Sequence, residues 1–263
     1  MARIEVNGTT LFYREQGTGP LALFVHGFPL DGTMWLDQID ALAGSRRCVV
    51  PDLRGYGKSE ATAMDLLSME QHADDLAALV TALGETKADV IGLSMGGYVA
   101  LAMWERHPGV FRSLALIDTK SGADDEAGKA RREMAAIELV TSGRKEFADG
   151  MVEALLAPHA TPFAKGRLRS MIEGTRYETT VASLKGMAAR PDRTGLLDGI
   201  TVPTAVIVGE EDKLTPVPDS EAMAAAIAGA ALHVIPGAGH MAPIERPTAV
   251  TQALLDLFDG SVA

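Results

Sequence analysis

Ser94, His240 and two carboxylates, Asp212 and Asp118, have the types and surroundings for acyl-transfer chemistry. Ser94 lies in Gly92-Leu93-Ser94-Met95-Gly96, after a short apolar run and directly before a helical pattern. Strand, sharp turn and helix is the context that gives a G-x-S-x-G sequence meaning. The turn lifts the hydroxyl off the end of the sheet. It also sets it at a helix N-terminus, where unpartnered N–H groups favour negative charge. A Cβ at Gly92 or Gly96 would collide with neighbouring backbone in so tight a bend. The plainer alternative is a Gly/Ser turn between a strand and a helix. What separates the two is whether the chain also supplies an acid and a histidine, in the order serine, acid, histidine.

A serine hydroxyl is a weak nucleophile at neutral pH and needs a base within hydrogen-bond reach. His240, in Gly237-Ala238-Gly239-His240-Met241, follows the last predicted strand in a loop free to bend over the sheet end. Its competitor His233 alternates with apolar residues inside a strand and is expected to face solvent. A carboxylate is needed to fix the imidazole tautomer and stabilise the imidazolium. Asp212 follows the penultimate strand and Asp118 an earlier one, and position alone leaves both open. The loop His26-Gly27-Phe28-Pro29 also follows a strand. Given Ser94, the N–H of Phe28 and that of Met95 are the expected oxyanion donors. His26 is expected to be a structural hydrogen-bonder, His72 a surface residue of a helix, and His107 a partner of a helix C-terminus.

These residues need a sheet whose strand ends converge, and the pattern predicts one. Ile4–Asn7 and Thr10–Glu15 read as a hairpin turned at Asn7-Gly8. The apolar run Leu21–His26, Val49–Pro51, the run before Ser94, Ser113–Ile117, Thr204–Val208 and Leu232–Ile235 read as strands. Between them, helices are predicted at Met34–Leu42, Ser68–Leu83, from the elbow to His107, at Asp219–Ile227 and at Thr248–Phe258. Alternating strands and helices imply a mostly parallel sheet covered on both faces, with ligands bound beyond the carboxyl ends of its strands. Residues 119–197 break the alternation with four helical stretches, near Glu126–Val140, Lys145–Leu156, Thr161–Glu173 and Glu178–Met187. That segment holds 13 Lys+Arg against 11 Asp+Glu, in a chain of net charge −11. It reads as a helical cap, 119–197, inserted into a core formed by 1–118 and 198–263. Its methionines Met134, Met151, Met171 and Met187 suit core filling or an adaptable pocket. Its arginines Arg131, Arg144 and Arg176 are candidates for meeting a substrate carboxylate.

Composition excludes other classes. An acidic chain with pI near 5.0 does not present the basic face that a nucleic-acid partner wants. The Gly-rich loop Asp52–Ser59 lacks the spacing of a phosphate-binding or dinucleotide fingerprint. No cluster has zinc-ligand spacing, so neither metal nor cofactor is expected. No apolar run approaches the roughly 20 residues of a membrane span, and no basic-then-apolar leader opens the chain. The single cysteine, Cys48, reads as a small core residue. Together these point to a cytoplasmic protein acting on a small molecule.

Five motifs in their order resemble the α/β-hydrolase superfamily, serine-nucleophile branch, over essentially the whole chain. They are His26-Gly27-Phe28-Pro29, Asp52-x-Arg54-Gly55-x-Gly57-x-Ser59, Gly92-Leu93-Ser94-Met95-Gly96-Gly97, Gly209-x-x-Asp212-x-x-x-Pro216 and Gly239-His240. The resemblance implies an eight-stranded, mostly parallel α/β sheet with helices on both faces and an inserted helical cap. It also implies Ser94 as nucleophile, His240 as base and Asp212, rather than Asp118, as orienting acid. Dehalogenases and epoxide hydrolases of the superfamily use an aspartate where this chain has Ser94. The elbow and compact cap are similar to those of 3-oxoadipate enol-lactonases and small bacterial carboxylesterases. The implied activity is hydrolysis of a small ester or lactone. A cofactor-free perhydrolase or haloperoxidase, or a ligand receptor on the same fold, are the alternatives.

Overall fold

The computed structural model describes residues 1–61 and 63–260; Thr62 and residues 261–263, the end of the expected 198–263 segment, lie outside the described residues. Eight strands form one sheet: β1 (Ala2–Val6), β2 (Thr9–Gln16), β3 (Leu21–Val25), β4 (Arg47–Pro51), β5 (Ala88–Leu93), β6 (Phe111–Ile117), β7 (Thr204–Gly209) and β8 (Ala231–Ile235). Their order is β1-β2-β4-β3-β5-β6-β7-β8. β2 runs antiparallel to β1 and β4, and the other pairs are parallel. Asn7 and Gly8 both take positive φ (49° and 73°), the turn that matches the twist of a two-residue hairpin. β3, β5 and β7 are buried along their whole length, as central strands covered on both faces must be.

The helices are α1 (Leu36–Leu42), α2 (Met69–Ala82), α3 (Met95–Arg106), α4 (Glu126–Thr141), α5 (Arg144–Leu155), α6 (Pro162–Gly174), α7 (Tyr177–Ala189), α8 (Val217–Ala226), α9 (Ala242–Glu245) and α10 (Pro247–Phe258). α4 to α7 lie between β6 and β7, within one or two residues of the predicted spans at most ends. Sequence signals explain several boundaries. Ser68 caps α2 by accepting from the Gln71 N–H at 3.1 Å, and Gly84 takes the left-handed φ of 81° just past its end. Pro108 opens a short 3₁₀ turn directly after α3. The short α9 has no amphipathic pattern to announce it.

Two histidine expectations are corrected. His72 is fully buried, not at the surface. It shares a face of α2 with Met69, Ala73, Leu76 and Leu79, the helical spacing that turns inward. His233 is half-buried, with Leu232 and Val234 left 36% and 39% exposed instead. In β8, an edge strand, the face carrying His233 and Ile235 is the more buried one, the reverse of the expectation. Cys48 is buried in β4 as expected, and burial pushes its thiol up to about 12. The Asp52–Ser59 loop is a joint between core elements. Asp52 accepts from Arg14 Nη1 (3.2 Å), the Gly32 N–H (2.9 Å) and the Lys58 N–H (2.8 Å).

Candidate active site

The elbow after β5 places Ser94. Its backbone sits at φ 53°, ψ −114°, a conformation costly for a residue with a Cβ and held by its surroundings. The Ser94 N–H donates to Ile117 O (2.9 Å), and its own carbonyl accepts from the Gly97 N–H (2.9 Å) and Thr119 Oγ1 (2.8 Å). A Cβ on Gly92 would strike the main chain of Gly96 and Gly97, and one on Gly96 would strike the carbonyls of Val25 and His26. Both glycines are therefore demanded by the turn.

The structure brings three of the four predicted side chains into one line. Ser94 Oγ lies 2.8 Å from His240 Nε2, and His240 Nδ1 lies 2.8 Å from Asp212 Oδ2. His240 and Asp212 are buried and Ser94 is half-buried. Asp212 Oδ1 accepts from the N–H groups of Leu214 (2.8 Å) and Thr215 (3.1 Å), and Oδ2 also accepts from Thr215 Oγ1 at 2.6 Å. Burial opposes a charge on Asp212, but these donors and His240 outweigh it and hold the carboxyl below its ordinary value. Burial likewise opposes an imidazolium at His240. The hydrogen bond and charge of Asp212, then the charges of Asp118 and Glu245, overcome it and raise the imidazole. An ionised Asp212 requires the proton on Nδ1, which leaves Nε2 as an acceptor facing the Ser94 hydroxyl.

Asp118 does not join that line. Its carboxylate accepts from the Gly209 N–H (2.7 Å) and the Ala242 N–H (3.2 Å). His26 is buried and structural: Nε2 accepts from the Leu53 N–H (3.0 Å) and Nδ1 faces Gly27 O (2.9 Å). Among the described residues, the N–H groups of Phe28 and Met95 donate to no protein acceptor. Phe28 lines the same cavity as Ser94 and His240, which has a volume of about 240 Å³.

The cavity wall carries charge that the sequence pattern only partly disclosed. Arg131 lines it, as do Lys120, Arg132 and a single carboxylate, Asp124. Asp124 pairs with Arg132, with Arg190 (3.0 Å) and with Lys120 (3.5 Å). Despite burial, Arg190 and Arg132 hold its carboxyl well below the usual carboxylate range. Arg190 also stacks on Tyr98, its Cζ 4.0 Å from the ring centroid. Arg131 forms no ion pair among the described residues. The other two candidate arginines are elsewhere. Arg144 donates to Glu173 O, and Arg176 donates to Gly55 O (2.6 Å) and Ser59 O (3.3 Å), fastening α7 to the core. Met151 and Met187 line the cavity, Met171 is buried away from it, and Met134 is exposed. Tyr98 and Thr215 were legible in principle, one helical turn after Ser94 and three residues after Asp212.

A family model for the alpha/beta hydrolase family matches residues 22–253. The chain belongs to the alpha/beta hydrolase family. Among solved structures, this hydrolase is similar to a thermophilic esterase from Thermogutta terrifontis, solved malate-bound, at 37% identity and a TM-score of 0.95 over all of both chains. It is also similar to the enol-lactonase from Burkholderia xenovorans LB400, at 28% identity and a TM-score of 0.90, covering 98% of this chain and 100% of the other. A curated relative, 3-oxoadipate enol-lactonase 1 from Acinetobacter baylyi, is 27% identical over 97% of this chain and 94% of its own length. No described helix is long and apolar enough to cross a membrane.

Proposed function

We propose that this hydrolase cleaves a small carboxylic ester or lactone through an acyl-enzyme. Ser94 Oγ attacks the carbonyl carbon while His240 Nε2 takes its proton. The N–H groups of Phe28 and Met95 bind the oxyanion, and Asp212 holds the imidazolium. The tetrahedral intermediate collapses as His240 returns the proton to the leaving oxygen. An alcohol departs, or in a lactone the ring opens. Water, deprotonated by His240, then attacks the acyl-enzyme and releases the acid and Ser94. The observation that carries this reading is the unbroken line Asp212–His240–Ser94, with both links at 2.8 Å, at the wall of a cavity.

The substrate is small and carries a carboxylate. The cavity, at about 240 Å³, falls below the roughly 300–1,000 Å³ of drug-sized sites. In a chain of net charge −11, its wall holds three cations and one carboxylate. Charge of one sign in a concave, low-dielectric wall attracts the opposite sign. The malate in the esterase relative, a dicarboxylate, and the enol-lactonase relatives support the same class. Residues 119–197 act as the cap that supplies this wall, and the buried lone Cys48 suits a reducing, cytoplasmic setting.

The test is a panel of short-chain esters and lactones, with and without a free carboxylate, assayed on the parent and on Ser94→Ala. The reading expects turnover that falls by about 10³ or more in the variant. Turnover largely retained without Ser94 would reject it.

A further inference from the structure

We infer that Asp118 is a positioning residue for His240, its carboxylate clamping the acid-bearing and histidine-bearing loops together and setting a second negative charge beside the imidazole. The inference rests on the acyl-transfer reading above.

Asp118 directly follows β6, which lies between the elbow strand β5 and β7. It is fully buried and takes a positive φ of 44°, a strained choice for a residue with a Cβ. Its carboxylate joins the end of β7 to the start of α9. Oδ1 accepts from the N–H of Gly209, three residues before Asp212. Oδ2 accepts from the N–H of Ala242, two residues after His240. The Asp118 N–H is itself anchored on Ile207 O in β7, at 2.9 Å. The next residue, Thr119, donates to Ser94 O at 2.8 Å and packs against Gly97. A two-residue corner thus touches the three loops that carry Ser94, Asp212 and His240. The main chain adds one further tie, from the Glu211 N–H to Ala238 O at 2.8 Å.

Three carboxylates act on His240: Asp212 directly, Asp118 from the position directly after β6 and Glu245 from α9. Glu245 grips the other side of the same loop, accepting from the Gly239 N–H (2.9 Å) and from the Ala157 N–H (2.9 Å). Asp118 is near enough to feel the charges of His240 and Asp212. Burial first, and the charge of Asp212, push its carboxyl up to about 7, while an imidazolium and its two amide donors pull it down. When His240 takes the proton of Ser94, the new positive charge therefore favours an ionised Asp118. Asp118 does not line the cavity that Ser94 and His240 share.

The experiment compares the parent with Asp118→Ala and Asp118→Asn. Fluorophosphonate labelling counts competent Ser94, and kcat and KM for p-nitrophenyl acetate are measured per labelled site across pH. Alanine leaves two buried amides unpaired and is expected to lower kcat by about 10- to 100-fold, with KM within about twofold. Asparagine keeps one acceptor and is expected to recover part of that kcat. Neither variant restores the charge, so in both the acid limb of kcat/KM shifts to lower pH, by about half a unit. An unchanged kcat, or a lowered kcat with the acid limb unmoved, would overturn the inference. If alanine prevents folding, the isosteric asparagine carries the same test alone. A parent that neither labels nor turns over ester would instead overturn the acyl-transfer reading, and this inference with it.

Discussion

Asp212→Asn tests the orientation of the imidazole, because the geometry decides where the new amide nitrogen goes. Oδ1 faces two donors, the N–H groups of Leu214 and Thr215, so the amide oxygen must stay there. The NH₂ then takes the place of Oδ2, opposite Thr215 Oγ1 and His240 Nδ1. The threonine hydroxyl can rotate and accept. His240 Nδ1 can accept only by giving up its proton, which moves the tautomer to Nε2–H. That N–H points at Ser94 Oγ and cannot take the serine proton. On precedent from serine proteases the loss is about 10⁴ in kcat, close to 5 kcal/mol of barrier. KM should change little, since Asp212 does not line the cavity. The pH profile adds a sign. Asp212 is the chief group raising His240 against burial, so its loss lowers the imidazole and moves the acid limb of kcat/KM to lower pH. The assay is p-nitrophenyl acetate turnover across pH on variant protein that matches the parent by circular dichroism. A kcat within about tenfold of the parent would refute the reasoning and return the orienting role to Asp118.

Three further outcomes are expected. Arg131→Ala should raise KM for a carboxylate-bearing ester by about tenfold and leave a neutral ester of equal size unaffected, an equal effect on both being the contrary result. His72→Leu should stabilise the protein, raising its melting temperature by about 2 °C, because both ring nitrogens are buried without hydrogen-bond partners among the described residues and burial already keeps the ring neutral, its pKa near 3; a lower melting temperature would contradict this. Gly96→Ala should cost about 3 kcal/mol or more in chemical denaturation, since its Cβ meets main-chain carbonyls, whereas Gly109→Ala, which faces open space, should be near neutral; similar values for both would contradict the packing argument.

Much of the fold was legible because its signals are local. Asn7-Gly8 states its turn type, Ser68 and Gly84 bracket α2, and Pro108 closes α3. The elbow was legible in part for the same reason: Gly92 is required by the main chain of Gly96 and Gly97, within five residues, whereas Gly96 is required by the distant carbonyls of Val25 and His26. What pattern reading could not see depends on which elements meet. The spacing of His72 already placed it on the inward face of α2, and only the usual polarity of histidine argued otherwise. Alternation along β8 shows that two faces differ, and not which of them packs inward, so the expectation for His233 names the wrong one. Of three candidate arginines only Arg131 reaches the cavity, because α7 docks Arg176 on the Gly55 carbonyl. Lys120 and Arg132 gain significance only through Asp124, which lies between them and Arg190. Position alone leaves Asp118 and Asp212 open; the motif Gly209-x-x-Asp212-x-x-x-Pro216 favours Asp212, and what separates them in space is the 2.8 Å contact of Asp212 Oδ2 with His240 Nδ1, while Asp118 is taken up by the amides of Gly209 and Ala242.

The central claim is that Ser94 becomes covalently acylated. The most direct measurement is mass spectrometry of the protein after a fluorophosphonate or a slowly hydrolysed p-nitrophenyl ester, with the modified peptide sequenced. The account expects one adduct per chain, on Ser94, abolished in Ser94→Ala and much slowed in His240→Ala. Steady ester turnover with no adduct on Ser94, or an adduct that forms equally fast without His240, would contradict it.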